Sequence, residues 1–172
     1  MSFIDLAKSR YSVRNFSDKA VEPEKLEEIL QAGRIAPTAK NLHPEKIYVL
    51  QSEEAMNKAR ELTRCTYGAS TVLLVCYDED AAWHSNLRTG YISGEMDASI
   101  VTTHMMLRAW ELGIGSCWVG LFDDKEVSAA FSLPANIKPV ALMPLGYPTE
   151  DCLPREGMHL TPRPVEETIA YL

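Results

Sequence analysis

The sequence lacks the features that would tie it to a membrane, a metal or a nucleic acid. Its longest apolar run, around Thr71–Tyr77, falls far below the roughly 20 residues of a spanning helix. The N-terminal stretch MSFIDLAKSR carries Asp5 among its apolar residues and is too short for a signal peptide. A cytoplasmic protein with no membrane partner is expected. The four cysteines form no CxxC pair and none lies near a histidine at zinc spacing, and the four histidines form no HExxH. No metal site is expected, and the cysteines read as reduced, partly buried thiols. No GxGxxG opens a helix after a first strand, so the dinucleotide fingerprint is missing. Positive charge is scarce: 17 Lys and Arg against 24 Asp and Glu give a net charge of −7. That argues against general nucleic-acid binding, although a small anion needs only two or three arginines. Repeats, low-complexity segments and linkers are absent too. The 172 residues, 46% of them hydrophobic, suit one domain over 1–172 with a sizeable core.

What the sequence does have is helix and strand signals mixed without a regular βαβ alternation. Residues 2–8 read as a short helix. Pro23 opens the next, with Leu26, Ile29, Leu30 and Gly33 at amphipathic spacing, and Gly33 and Pro37 bracket its end. IYVL (47–50) reads as a strand, residues 53–64 as a helix with a solvated face, and VLLVCY (72–77) as a fully buried strand. Residues 78–92 are polar and irregular. Residues 93–113 predict a long helix, capped by Ser93, with Glu95 and Asp97 at the positive end of its dipole and Gly113 as its stop. Its apolar residues, Met96, Ile100, Val101, Met105, Leu107 and Trp110 among them, cover most of the circumference. Such a helix is buried on nearly all sides, as the centre of a monomer or under the cover of a second subunit. SCWVG (116–120) reads as a strand and 123–131 as a helix opened by Asp123. VALMPLGY (140–147) is a strand in which Pro144 predicts an edge position or a bulge. The tail TPRPVEETIAYL is extended, then briefly helical. The mixture predicts an α+β fold with helices around a small sheet.

Four stretches could carry chemistry. In SRYSVRNFSD (9–18), Arg10 and Arg14 are either a solvated pair or, with Tyr11 and Ser12, a phosphate clamp of planar forks and a hydroxyl. In APTAKNLHPEKIYVL (36–50), Pro37, Asn41 and Pro44 mark a rigid loop. Asn41 is either a turn residue or a donor–acceptor for the edge of a planar heterocycle. In LGIGSCWVG (112–120), Gly113 and Gly115 permit a tight turn and close backbone approach. Arg163 in TPRP, taken alone, reads as surface.

Together and in this order, RxSxR, APxxxNxxP, LGxGxxWVG and a late Arg-Pro resemble the FMN-dependent nitroreductase family, from Ser9 to the tail, as a short member. The resemblance implies a nitroreductase-like fold, a small mainly antiparallel sheet surrounded by helices, in an intertwined homodimer with FMN at the subunit interface. It implies that Arg10 and Ser12 hold the phosphate and ribityl end, joined by Arg163, with Tyr11 contributing backbone. Arg14 would lie near flavin N1 and O2, where a cation stabilises the anionic reduced ring. Asn41 and His43 would line the flavin edge. Trp118, Val119, Gly120 and Leu121 would supply backbone near N5 and O4. The implied activity is ping-pong: NAD(P)H passes hydride to N5, leaves, and a small planar acceptor, nitroaromatic or quinone-like, is reduced. No catalytic side chain or metal is then needed.

The chain departs from the family pattern in three places. His43 and Glu45 flank the loop proline where many members have Gln and Trp. Thr161 stands where many have Lys, and Gly120 where many have an acidic residue. These bear on the ring edge and substrate access, on the phosphate end, and on the N5 environment. Two further readings stand within the resemblance. A reductive dehalogenase-like member would usually carry more covering segment than 78–92. A flavin-binding or storage protein without turnover is allowed by the missing Lys and the altered loop. A cofactor-free dimeric interaction module would account for the apolar helix but not for the arginine, serine and asparagine set.

Overall fold

The computed structural model describes residues 2–172. They form helices α1 (Phe3–Ser9), α2 (Pro23–Arg34), α3 (Glu53–Leu62), α4 (Gly94–Glu111), α5 (Asp124–Ala130) and α6 (Val165–Thr168). The strands are β1 (Glu45–Leu50), β2 (Thr71–Asp78), β3 (Gly115–Ser116) and β4 (Ile137–Gly146). The sheet is antiparallel throughout, in the order β1-β2-β4-β3. The apolar run of β2 sits in its middle because both faces are covered. Leu73 and Val75 point into one cluster with Ile29 of α2 and Val101 and Met105 of α4. Val72, Leu74 and Cys76 point into another with Met56 of α3 and Val127 of α5. Two helices on each face of one sheet make the expected α+β arrangement.

Pro144 is neither on an edge strand nor at a bulge, contrary to the sequence expectation. It lies in β4, an interior strand, opposite Val72, while the register shift falls between Val75 and Cys76, where Val140 is the extra residue. The reason is the side on which its missing N–H falls. The Pro144 carbonyl accepts from Cys117 N–H at 3.3 Å, and in an extended residue N–H and C=O point the same way. The gap therefore faces residue 117, and there the ladder breaks. β3 pairs Gly115 with Gly146 and Ser116 with Leu145, then stops, and pairing resumes in the same register at Val119 with Leu142. The strand expected at 116–120 is thus a two-residue strand, a gap at the proline and an isolated bridge.

α4 matches its predicted span but not its predicted cover. Gly94, Asp97, Ala98, Val101, Thr102, Met105 and Ala109 form its buried stripe. Burial of residues such as Val101 and Met105 contributes about 1.5–3 kcal/mol each. On the opposite side Met96 is exposed and Ile100, Thr103 and Leu107 are half-buried, so one chain covers one stripe only. Gly94 lets the helix start against β2, since a Cβ there would meet the Tyr77 ring at 2.0 Å. Ser93 does not cap the helix through its side chain: its oxygen accepts from Trp83 N–H at 3.2 Å while its hydroxyl donates to Asp97 Oδ2 at 2.7 Å. The tail leaves the body after Cys152 and carries exposed Leu153, Met158, Leu160, Val165 and Ile169. Among the described residues no helix is long and apolar enough to cross a membrane.

Candidate functional site

The segment Arg10–Phe16 leaves α1 as extended chain and is laid along the sheet edge. Ser12 bridges Ser116, and Val13 N–H donates to Ser116 O at 2.9 Å. Alternation sets Val13 opposite its neighbours Ser12 and Arg14. Val13 and, further on, Phe16 are buried with Ala69, and Tyr11, Tyr67 and Trp110 pack around them. Gly115 makes room, because a Cβ there would lie 2.6 Å from Val13 Cγ2. Arg10 and Arg14 stay at the surface side. Among the described residues neither forms an ion pair, although the chain has more acids than bases. Arg14 Nη1 donates to Ser12 O at 3.1 Å. Burial pushes the Cys117 thiol up, while the Arg14 guanidinium and the Ser12 hydroxyl beside it pull the other way. Two guanidiniums without carboxylate partners, beside a serine, form a donor set suited to an anion.

The loop before β1 is built differently. Lys40, Asn41 and His43 all have positive φ, of 51°, 57° and 50°, a region that non-glycine residues enter only where the surroundings hold them. The hold is Asp97 of α4, fully buried, which accepts from Ala39 N–H at 2.9 Å and from the Ser93 hydroxyl. His43 N–H donates to Thr38 Oγ1 at 3.0 Å. Asn41 Oδ1 lies 3.1 Å from His43 Nε2, and His43 Nδ1 lies 3.5 Å from Glu45 Oε1.

These two parts sit at opposite ends of α4. The loop is tied to Asp97, while Tyr11 packs edge-on against Trp110, with ring centroids 5.1 Å apart. At a rise of 1.5 Å per residue the two anchors are about 20 Å apart along the helix. One chain therefore brings Arg10, Tyr11, Ser12 and Arg14 together with Cys117 and Trp118, and leaves Asn41 and His43 at the far end. In the stretch Trp118–Leu121, Val119 N–H and C=O are both bonded to Leu142, so the backbone free for a ligand is that of its neighbours. Gly120 is exposed, and nothing lies within 4 Å of where its Cβ would be. Arg163 is on the exposed tail, paired with Glu167 at 2.6 Å.

Two residues of this geometry escape sequence reasoning. Asp97 reads as a dipole partner, yet helical phase with Ala98, Val101 and Met105 places it on the buried stripe, a signal that was available. Arg155 gave no signal. Its segment is pinned to the arginine end by the Tyr11 hydroxyl, which donates to Cys152 O at 2.7 Å, and by the edge-on contact of Tyr11 with His159. Arg155 acts electrostatically on Cys117, in the same sense as Arg14. Among the described residues no group of acids, histidines and cysteines is arranged to hold a metal ion.

Comparison with known proteins agrees with this architecture. A model of the Nitroreductase family matches residues 7–67 and 64–147. A protein of Archaeoglobus fulgidus, provisionally named NADH dehydrogenase/NAD(P)H nitroreductase, is 32% identical over 152 residues, covering 83% of this chain and 83% of its own. The crystal structure of a nitroreductase family protein from Clostridium difficile is 40% identical and superposes with a TM-score of 0.92 over 99% of this chain and 98% of its own. A provisionally named nitroreductase from Exiguobacterium sibiricum, solved in complex with FMN, shares the fold at a TM-score of 0.83 and 19% identity, covering 100% of this chain and 98% of its own. The chain belongs to the Nitroreductase family.

Proposed function

We propose that this protein is an FMN-dependent NAD(P)H oxidoreductase that reduces small planar acceptors, nitroaromatic or quinone-like, as a homodimer with the cofactor at the subunit interface. The observation that carries the reading is the pair Arg10 and Arg14 on either side of Ser12, Arg14 bonded to Ser12 O, with no ion pair to a carboxylate among the described residues. That donor set fits a phosphate and an electron-rich ring edge. Names and complexes of the relatives support the cofactor and the donor. Bound FMN would supply a site that accepts hydride from the nicotinamide and passes it to the acceptor.

The protein's own residues bind and orient. Arg10 and Ser12 hold the phosphate end with Tyr11 backbone behind them, and Arg163 joins by leaving Glu167. Arg14 sits at the pyrimidine edge and favours the anionic reduced ring. Asn41, with His43 behind it, would supply hydrogen bonds to the ring edge, and the backbone of Trp118, Gly120 and Leu121 would lie along it. Because the loop of Asn41 and the segment of Arg14 are anchored about 20 Å apart along α4, the two halves of a ring-sized site would meet when a second copy brings its loop to the first copy's arginines. The exposed side of α4, with Met96 and Ile100, and the apolar tail residues are the surfaces such a dimer would cover.

The test is the visible spectrum of purified protein, before and after FMN and then, without oxygen, NADH or NADPH. Flavin bands that bleach on adding the nicotinamide are the expected result. Protein that takes up no FMN would remove the proposal, and bound flavin that fails to bleach would reduce it to a flavin-binding role.

A further inference from the structure

His43 stands between two oxygens. Its Nδ1 faces Glu45 Oε1 at 3.5 Å and its Nε2 faces Asn41 Oδ1 at 3.1 Å. The backbone that carries them is fixed: Asn41 N–H donates to Thr38 O at 2.9 Å, His43 N–H to Thr38 Oγ1, and Ala39 N–H to Asp97. Glu45 is held on β1, its Oε2 buried without a hydrogen-bond partner among the described residues. What remains free to change is the proton on His43 and the direction of the Asn41 amide.

A charged imidazolium has two N–H donors and a neutral imidazole has one. Two acceptors on opposite sides are both satisfied only by the charged ring. When the ring is neutral, its single proton belongs on Nδ1, because a lone pair aimed at the Glu45 carboxylate is repelled. Nε2 is then an acceptor, and Asn41 must turn its amide over to donate to it. The end of the amide that faces away from His43 changes with it. Asn41 presents its NH2 outward when His43 is charged and its C=O when His43 is neutral.

We propose that His43 and Glu45 are a positioning pair that sets, through the ionisation of His43, which end of the Asn41 amide is offered to the flavin edge. The proposal rests on the FMN reading given above. Glu45 is the charged group facing the ring directly. Elsewhere around the loop, the Lys40 ammonium lies toward Trp83, 6.0 Å from its ring centroid. From β2, Tyr77 stands opposite Glu45 in register, and Asp78 binds Asn136 and Asp80 N–H through its carboxylate. From α4, the Asp97 carboxylate is taken up by Ala39 and Ser93. The edge of an oxidised flavin has carbonyl oxygens and ring nitrogens as acceptors and a single N–H donor. An outward NH2 suits it better, so FMN is held more tightly on the acid side of the His43 titration.

The test has two readouts. In ligand-free protein, NMR follows the His43 ring and the Asn41 side-chain amide from about pH 5 to 9, the signals being assigned by their loss in His43→Gln and Asn41→Ser. The amide is expected to shift together with the ring, and Glu45→Gln to uncouple the two. In parallel, FMN affinity is measured on both sides of the midpoint. Wild type should weaken by about five- to tenfold on the alkaline side relative to His43→Gln, a comparison that cancels the ionisation of the FMN phosphate. An Asn41 amide that ignores the titration of His43 overturns the pairing whether or not FMN binds. A change of affinity with pH that is the same in wild type and in His43→Gln overturns its action on the flavin. An amide that follows His43 in a protein that takes up no FMN at either pH supports the coupling and overturns the flavin reading.

Discussion

The two ends of α4 solve different problems with different materials. At the C-terminal end, extended backbone is zipped onto the sheet edge through Val13 and Ser116, and it presents guanidiniums that form no ion pair among the described residues. At the N-terminal end, a loop with three left-handed residues is pinned by one fully buried carboxylate, Asp97. The first end offers charge on a rigid shelf. The second offers directional hydrogen bonds from a strained loop. In the proposed site neither end acts alone, because their anchors lie about 20 Å apart along α4.

The comparison is broken most severely at the loop. Asp97→Ala leaves the Ala39 N–H and the Ser93 hydroxyl without their buried acceptor, and should cost about 2–4 kcal/mol of stability, read as a lowered urea midpoint with an unchanged slope. Arg14→Ala should do the reverse. It should weaken FMN binding by about 1.5–3 kcal/mol, roughly ten- to a hundredfold or slightly more, and leave the unfolding midpoint within about 0.5 kcal/mol. Titration by flavin fluorescence and a urea melt of the same sample check both halves. Gly115→Ala sets a Cβ against Val13 and should cost about 1–3 kcal/mol, with loss of FMN affinity as Ser12 is pushed off β3. Retained affinity would show that the arginine shelf does not depend on this contact.

Tyr147→Phe is a control away from both ends, and its effect should be the smallest. The Tyr147 hydroxyl donates to Glu22 Oε2 at 2.6 Å and lowers the Glu22 carboxyl from 4.5 to about 2. A carboxyl held below its unfolded value stabilises the fold fully above that value and loses this contribution as pH falls through the folded one. The urea midpoint of wild type should therefore fall between pH 4.5 and about 2, and that of Tyr147→Phe should fall less steeply. Parallel curves would contradict the assignment.

The sequence is most legible where local rules agree with packing. VLLVCY became a strand covered on both faces, and Pro23, Asp123 and Gly113 mark helix ends as expected. Pro144 misled because the rule concerns the missing N–H and not the strand's place in the sheet. Its N–H gap faces a ladder that can break, and the order of strands is not written locally. Ser93 misled because its oxygen is taken by Trp83 N–H and its proton by the Asp97 carboxylate. For the candidate site, the sequence suggests residue types and not their separation. That Asn41 and Arg14 fall at opposite ends of one helix follows from tertiary packing alone, as does the approach of Arg155.

The most direct test of a site shared between two copies is a mixed dimer. Differently tagged Arg14→Ala and Asn41→Ala chains are produced together, and the mixed species is isolated and titrated with FMN. If Arg14 of one copy works with Asn41 of the other, one of the two sites in each mixed dimer is intact. It should bind one FMN per dimer at wild-type affinity, while each parent variant binds weakly. Mixed dimers that bind no more tightly than their parents, or a protein that binds FMN as a monomer, would contradict the account.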